Sequence, residues 1–408
     1  MLNVFTLASS INESVSMSDL MLGEAYDFAG NVDDASYDFA YLAMQEAVEA
    51  AHFDSSVNEI MVEAAIGNPT GMEALTEASI KEIWGKIKAF FKRVWEWVKG
   101  LIAKIVNYIK ATIAKTKGYQ KSVLKRAEKL MKDGKSKSVK INAYEYNYDA
   151  IASLEDRIGN IYNSNTKMID AETEEVINIS DIMDKAMQSS STVATDSTKV
   201  DDIVKEYKDK TDAIKNDKKN DKNSVAAEVN AAISAGAASD AKIGEVFNAF
   251  ATKCRGEKKE ITKTAADIKG LVDNFDKYTK LLNDGTKNLK AYEKQLKDIN
   301  TRLARVKGTG EYNQNLRNTQ DQADTKAVGK AKIQIAASAY LNAVYSYFTS
   351  VTAQLNAMLS GANSTLRTLC NGMIANDMTI INKILGGKDA KAKKEKDAPA
   401  AEEAPAEA

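Results

Sequence analysis

The side chains that usually carry catalysis are sparse in this chain. One histidine, His52, and two cysteines, Cys254 and Cys370, are spread over 408 residues. With no histidine after position 52, the rest of the chain cannot build a Ser-His-Asp or Cys-His arrangement or a His-based metal site. The cysteines stand far apart without ligand-like neighbours, which argues against zinc and for buried thiols, with one optional bridge between them. Gly308-Thr-Gly310 is too short to cradle a phosphate and lacks the Gly-Lys-Ser/Thr ending of such loops. The chain therefore reads as a non-enzyme with no cofactor and no metal. A different pattern does recur. Leu22-Gly-Glu-Ala25, Met44-Gln-Glu-Ala47, Met61-Val-Glu-Ala64 and Leu75-Thr-Glu-Ala78 each place a large aliphatic residue and a spacer before Glu and Ala.

These tetrads end where the charge changes sign. Residues 1–78 hold fourteen carboxylates and no Lys or Arg, a net charge of −14. The remainder sets 43 carboxylates against all 56 basic residues, a net +13. Two oppositely charged pieces in one nearly neutral chain mark separable roles. An Ala- and Glu-rich helix can generate such tetrads by chance, but Glu-Ala then vanishes from the chain between Ala78 and Glu402, which chance does not explain.

Apolar-X-Glu before a small residue resembles the recognition pattern of the prohead proteases of large tailed bacteriophages, enzymes that trim capsid, core and internal head proteins during maturation. The resemblance covers the leader and the junction. It implies scissile bonds at Glu24-Ala25, Glu46-Ala47, Glu63-Ala64 and Glu77-Ala78, the last releasing the mature body. It further implies a virion structural protein of the internal head or inner body, made in the host cytoplasm, packaged in the prohead and ejected with the DNA. The prohead protease, capsid or prohead core proteins and packaged DNA would be its partners. Ile80-Lys-Glu82 and Ile243-Gly-Glu245 match the minimal pattern inside the body, where helical burial is expected to protect them.

Immediately after the junction, Ile80, Ile83, Trp84, Ile87, Phe90, Phe91, Val94, Trp95, Val98, Leu101, Ile102, Ile105, Val106, Ile109 and Ile113 recur at helical spacing and form one broad stripe. Opposite them, ten Lys or Arg between Lys81 and Lys117 face Glu82 and Glu96. All three tryptophans, Trp84, Trp95 and Trp97, lie here. Two readings stay open. The stripe packs on neighbouring helices, or it lies on a membrane surface with its lysines outward. On the second reading Trp84, Lys86, Lys88, Lys92, Arg93, Trp95, Trp97 and Lys99 form a contact helix for membrane or DNA. Before cleavage, the acidic leader offsets this basic body and can fold back along its lysines. A membrane-active pore-forming or ejection protein and a cytoplasmic coiled-coil scaffold are the alternative functions.

What positions these residues must be helical, because no proline occurs between residues 70 and 398. The expected fold is mainly α, an elongated helical bundle with a coiled-coil arm, one small extended or β segment near 137–148 and a disordered C-terminal tail. Asp133-Gly134 turns the chain after the basic helix; helices resume near 149–170 and 172–187, and an Ala-rich thin helix covers 226–241. Leu, Ile, Phe and Tyr alternate by three and four from Ile268 to Val306, a heptad seam in an arm over 261–307 that could also be the spine of the bundle or the contact of a homo-oligomer. Asn283-Asp-Gly285 is turn chemistry and predicts a kink or an antiparallel hairpin there. The longest uncharged run, Ile333 to Leu366, reads as a buried core helix, with Gly361 separating it from a last helix through Leu385. The organisation expected is a propeptide over 1–77, a first helical unit over 78–187, a polar linker with a charged helix over 188–224, a bundle over 225–386 and a tail over 387–408. The uncharged start of the chain reads as no signal peptide.

Overall fold

The computed structural model describes residues 80–187, 196–217, 224–305 and 325–386. Helix α1 runs from Ile80 to Lys132 and is followed by strand β1, Val139–Tyr144. Then come α2, Tyr148–Ala152, α3, Leu154–Met187, α4, Ser197–Lys215, α5, Ser224–Ile233, and α6, Ile243–Arg255. Strand β2, Lys258–Lys263, precedes α7, Ile268–Asp284, α8, Lys287–Arg305, and α9, Thr325–Ile384. The fold is mainly α with one small antiparallel sheet, in which Val139 pairs with Lys263 and Tyr144 with Lys258.

Helix α9 is the axis of the molecule. Its 60 residues extend about 90 Å, and from Tyr340 to Leu385 only Lys383 is exposed. A helix apolar on every side must be covered on every side. Phe90 and Phe91 of α1 meet Tyr345 and Phe348 edge to face, with ring centres 6.2 and 5.1 Å apart. Further along, the Tyr108 hydroxyl donates to Asn371 Oδ1 at 2.5 Å and the Tyr119 hydroxyl to Asn382 Oδ1 at 2.9 Å. Both numbering series rise together, so α1 and α9 run parallel. Tyr207 of α4 stacks on Tyr340, and Phe247 of α6 sits over Gly361.

The heptad seam is the spine of this bundle. Ile268, Phe275, Leu282, Leu289, Tyr292, Leu296, Ile299 and Leu303 are each at most 2 % exposed. Gln120 of α1 donates to the carbonyl of Val272 at 3.2 Å, whereas Asn300 donates to the carbonyl of Phe91 at 3.1 Å. Helices α7 and α8 therefore lie end to end, antiparallel to α1, so of the two expectations at Gly285 the chain takes the kink and not the hairpin. A side chain at Gly285 would overlap Leu366, so this glycine serves the approach of α9. The segment also begins differently from the expectation. Ile261–Lys263 is strand, and the helical turn opens only after Thr264, whose N–H and hydroxyl both donate to Asp267.

Other expectations are corrected as well. Gly361 does not separate two helices; α9 passes straight through it, because a Cβ there would stand 2.6 Å from the Phe247 ring. Helix α3 is likewise continuous across residues 170–172. The Ala-rich helix stops at Ile233, where Ser234 and Gly236 take positive φ and Asn230 Nδ2 closes the turn on the carbonyl of Ala237. The turn at Gly134, with φ 63°, follows α1 as expected. The loop and tail expectations for 188–195, 218–223, 306–324 and 387–408 lie outside the described residues.

Candidate functional site

The cleavage candidates Glu24, Ala25, Glu46, Ala47, Glu63, Ala64, Glu77 and Ala78 all lie outside the described residues. Described structure begins at Ile80. The two internal matches both fall at helix starts, Ile80 opening α1 and Ile243 opening α6. Glu245 accepts from the Lys242 N–H at 3.0 Å, which ties the second match into the first turn of α6.

On α1 the stripe is core. Ile83, Trp84, Ile87, Phe90, Phe91, Val94, Val98, Leu101, Ile105 and Ile109 are at most 7 % exposed. Trp84 is 2 % exposed and belongs to the hydrophobic core. Trp95 is half-buried and donates from Nε1 to Glu293 Oε1 at 2.7 Å, with Lys99 Nζ 5.6 Å from the centre of its ring. Trp97 is half-buried against the same core. The tryptophans thus join α1 to its neighbours. Turning this stripe to lipid would first expose it, at about 1.5–3 kcal/mol for each large apolar side chain.

The outer face of α1 is different. Lys86, Lys92, Arg93 and Lys99 are exposed and Lys88 is half-buried. The face continues past the expected limit at Lys117, through exposed Lys121, Lys125, Arg126, Lys129 and Lys132. Over its 53 residues α1 carries fifteen Lys or Arg against Glu82, Glu96 and Glu128, a net +12, and twelve of the basic residues are exposed. The rest of the body after residue 78 amounts to only +1. The extension was readable in the i, i+4 spacing of Lys121, Lys125 and Lys129.

Interior titratable groups do structural work. Glu155, in the first turn of α3, accepts from the Asn288 N–H at 2.8 Å and so caps the start of α8, while Asn288 Nδ2 donates to the Glu155 carbonyl at 2.9 Å and ties the two helix starts together. Burial pushes the Glu155 carboxyl up to about 7 against the opposing pull of that N–H and Lys287. Asp377 accepts from the Tyr278 hydroxyl at 3.0 Å and from Asn274 Nδ2 at 3.2 Å, and burial raises it to about 6. Asn376 beside it clamps β1, accepting from Tyr144 N at 3.0 Å and donating to Tyr144 O at 3.3 Å. Tyr144, Tyr146 and Tyr148 enclose a notch of about 120 Å³ with Tyr278, Met373, Asn376 and Asp377. A Cβ at Gly372 would overlap the Tyr146 hydroxyl, which identifies this cluster as a packing edge. Cys254 and Cys370 are buried free thiols; burial pushes Cys254 up to about 11 and raises Cys370 further. Among the described residues no His, Cys, Asp and Glu group has metal-binding geometry, and no helix is long and apolar enough to cross a membrane.

The chain matches no family model, and no curated protein or solved structure is significantly similar to it.

Proposed function

We propose that the chain is an internal structural protein of a large tailed-phage virion, packaged in the prohead with an acidic leader that is cut away after Glu77. One coincidence carries this reading. The last Glu-Ala tetrad and the change of charge sign fall within a few residues of one another, at Glu77, Ala78 and the first basic residue, Lys81. The cut removes all fourteen leader carboxylates, and it converts a chain of net −1 into a body of net +13 suited to packaged DNA. N-terminal sequencing of protein recovered from particles should start at Ala78, and Glu77→Gln should retain the leader. An intact Met1 or Leu2 in mature particles would reject the proposal.

A further inference from the structure

The outer face of α1 concentrates almost the whole surplus charge of the body on one rod about 80 Å long. Its fold does not require this. The core stripe holds α1 in place from the opposite side, and a surface helix is equally stable with mixed charges or with Gln and Ser. Exposed single ion pairs contribute only about 0–1 kcal/mol each. A long face of one sign instead repels itself and attracts polyanions over a range of about 8 Å at physiological salt.

We propose that residues 1–77 dock on this outer face of α1 within the same chain, and hold it in place of nucleic acid until the Glu77-Ala78 bond is cut. The proposal rests on reading residues 1–77 as a removable leader. Three observations support it. The charges match in size, −14 against +12, while the rest of the body is close to neutral and no other helix among the described residues is as basic. The leader joins the chain at the first turn of α1, so it is tethered to the face it would cover. Its 77 residues also exceed the reach required, because an extended chain spans up to about 3.3–3.6 Å per residue.

Tethering explains why a cut would act as the switch. Duplex DNA carries one charge per about 1.7 Å of axis, far denser than fourteen carboxylates in 77 residues, so a free leader loses to DNA in open competition. A leader held in the same chain has an effective concentration in the millimolar range and occupies the face first. Hydrolysis of one peptide bond, with water adding across Glu77 C and Ala78 N, changes no contact on α1. It turns the competitor from intramolecular to dissociable.

The test compares the Glu77→Gln full chain with a chain of residues 78–408, which retains the complete described core. Binding of a short labelled DNA duplex is read by fluorescence anisotropy at low and physiological salt. The shorter chain should bind at least ~10-fold more tightly, and added peptide 1–77 should displace the duplex only at large excess. Zero-length carbodiimide coupling of the full chain should join leader carboxylates to Lys117, Lys121, Lys125 or Lys129. Replacing those four by Gln should abolish these cross-links and weaken DNA binding without shifting thermal unfolding. Equal DNA affinity of the two chains, no DNA binding by either, or leader cross-links confined to elements other than α1 would each overturn the proposal. Failure of the maturation reading is separate: an uncut leader in particles rejects the cut, whereas the cross-links and the affinity ratio decide the docking.

Discussion

Helices α1 and α9 are similar in length, run parallel and touch through Phe90, Phe91, Tyr108 and Tyr119, yet they obey opposite constraints. On α9 almost every position is enclosed, so even its glycines answer to a neighbour: Gly361 to Phe247 and Gly372 to Tyr146. On α1 the glycines Gly85, Gly100 and Gly118 have nothing within 4 Å of where a Cβ would stand. A residue on α9 is there because of what it packs against. A residue on the outer half of α1 is not, and its basic character has to be explained by something beyond the fold.

That contrast can be broken by substitution. Phe348→Ala, on the enclosed axis, should cost about 3–5 kcal/mol and lower the unfolding midpoint in denaturant sharply. The Lys117, Lys121, Lys125 and Lys129 to Gln variant should stay within about 0.5 kcal/mol of the parent in the same measurement. A large loss in the second, or a small one in the first, would erase the distinction between the two helices.

Acidity sharpens it next. Glu155 has a folded pKa of about 7, raised by burial above its ordinary 4.5, and Asp377 one of about 6, raised above 3.8. Each group binds its proton more tightly in the folded state. The stability it contributes is complete below its unfolded value and is lost as pH rises through the folded one. Unfolding free energy should therefore fall between about pH 4.5 and 7, and Glu155→Gln should flatten much of that slope while keeping an acceptor for the Asn288 N–H. An unchanged slope in denaturant titrations across this range would show that Glu155 is not held as described.

Smaller effects come from the edge between the two faces of α1. Trp95→Phe keeps an aromatic ring in place of the indole and deletes the bond to Glu293, at about 0.5–1.5 kcal/mol by calorimetry. Gly118→Ala, on the open side, should stabilise by up to about 1 kcal/mol, since an exposed helical glycine only costs chain entropy. The same change at Gly361 should destabilise, because Phe247 fills the space.

Much of the helix content was legible locally. The 3.6-residue stripe on α1, the turn at Gly134, the strand near Val139 and the buried character of most of Ile333–Leu366, Ile335 and Ala339 being exposed, follow from spacing and composition. Strand β2 was not legible, because Lys258-Lys-Glu-Ile-Thr-Lys263 is mostly exposed and becomes a strand only by pairing with β1, more than a hundred residues earlier. Glu155 and Asp377 gave no signal either, since an acidic residue in a helix reads as solvated until its surroundings are known.

The sequence by itself determined the charge boundary at Ala78, the repeated Glu-Ala tetrads and the list of residues sharing each helical face, because all three depend only on order along the chain. Tertiary structure alone decided what covers each face. Periodicity places Trp84 and Phe91 side by side but is silent on whether protein or lipid meets them, and the enclosure by α8 and α9 answers that. Glycine is the sharpest case. Gly285 and Gly361 look alike in sequence, as breaks, yet α9 runs unbroken through Gly361, and at both positions the missing side chain makes room for a neighbour, Leu366 at one and Phe247 at the other.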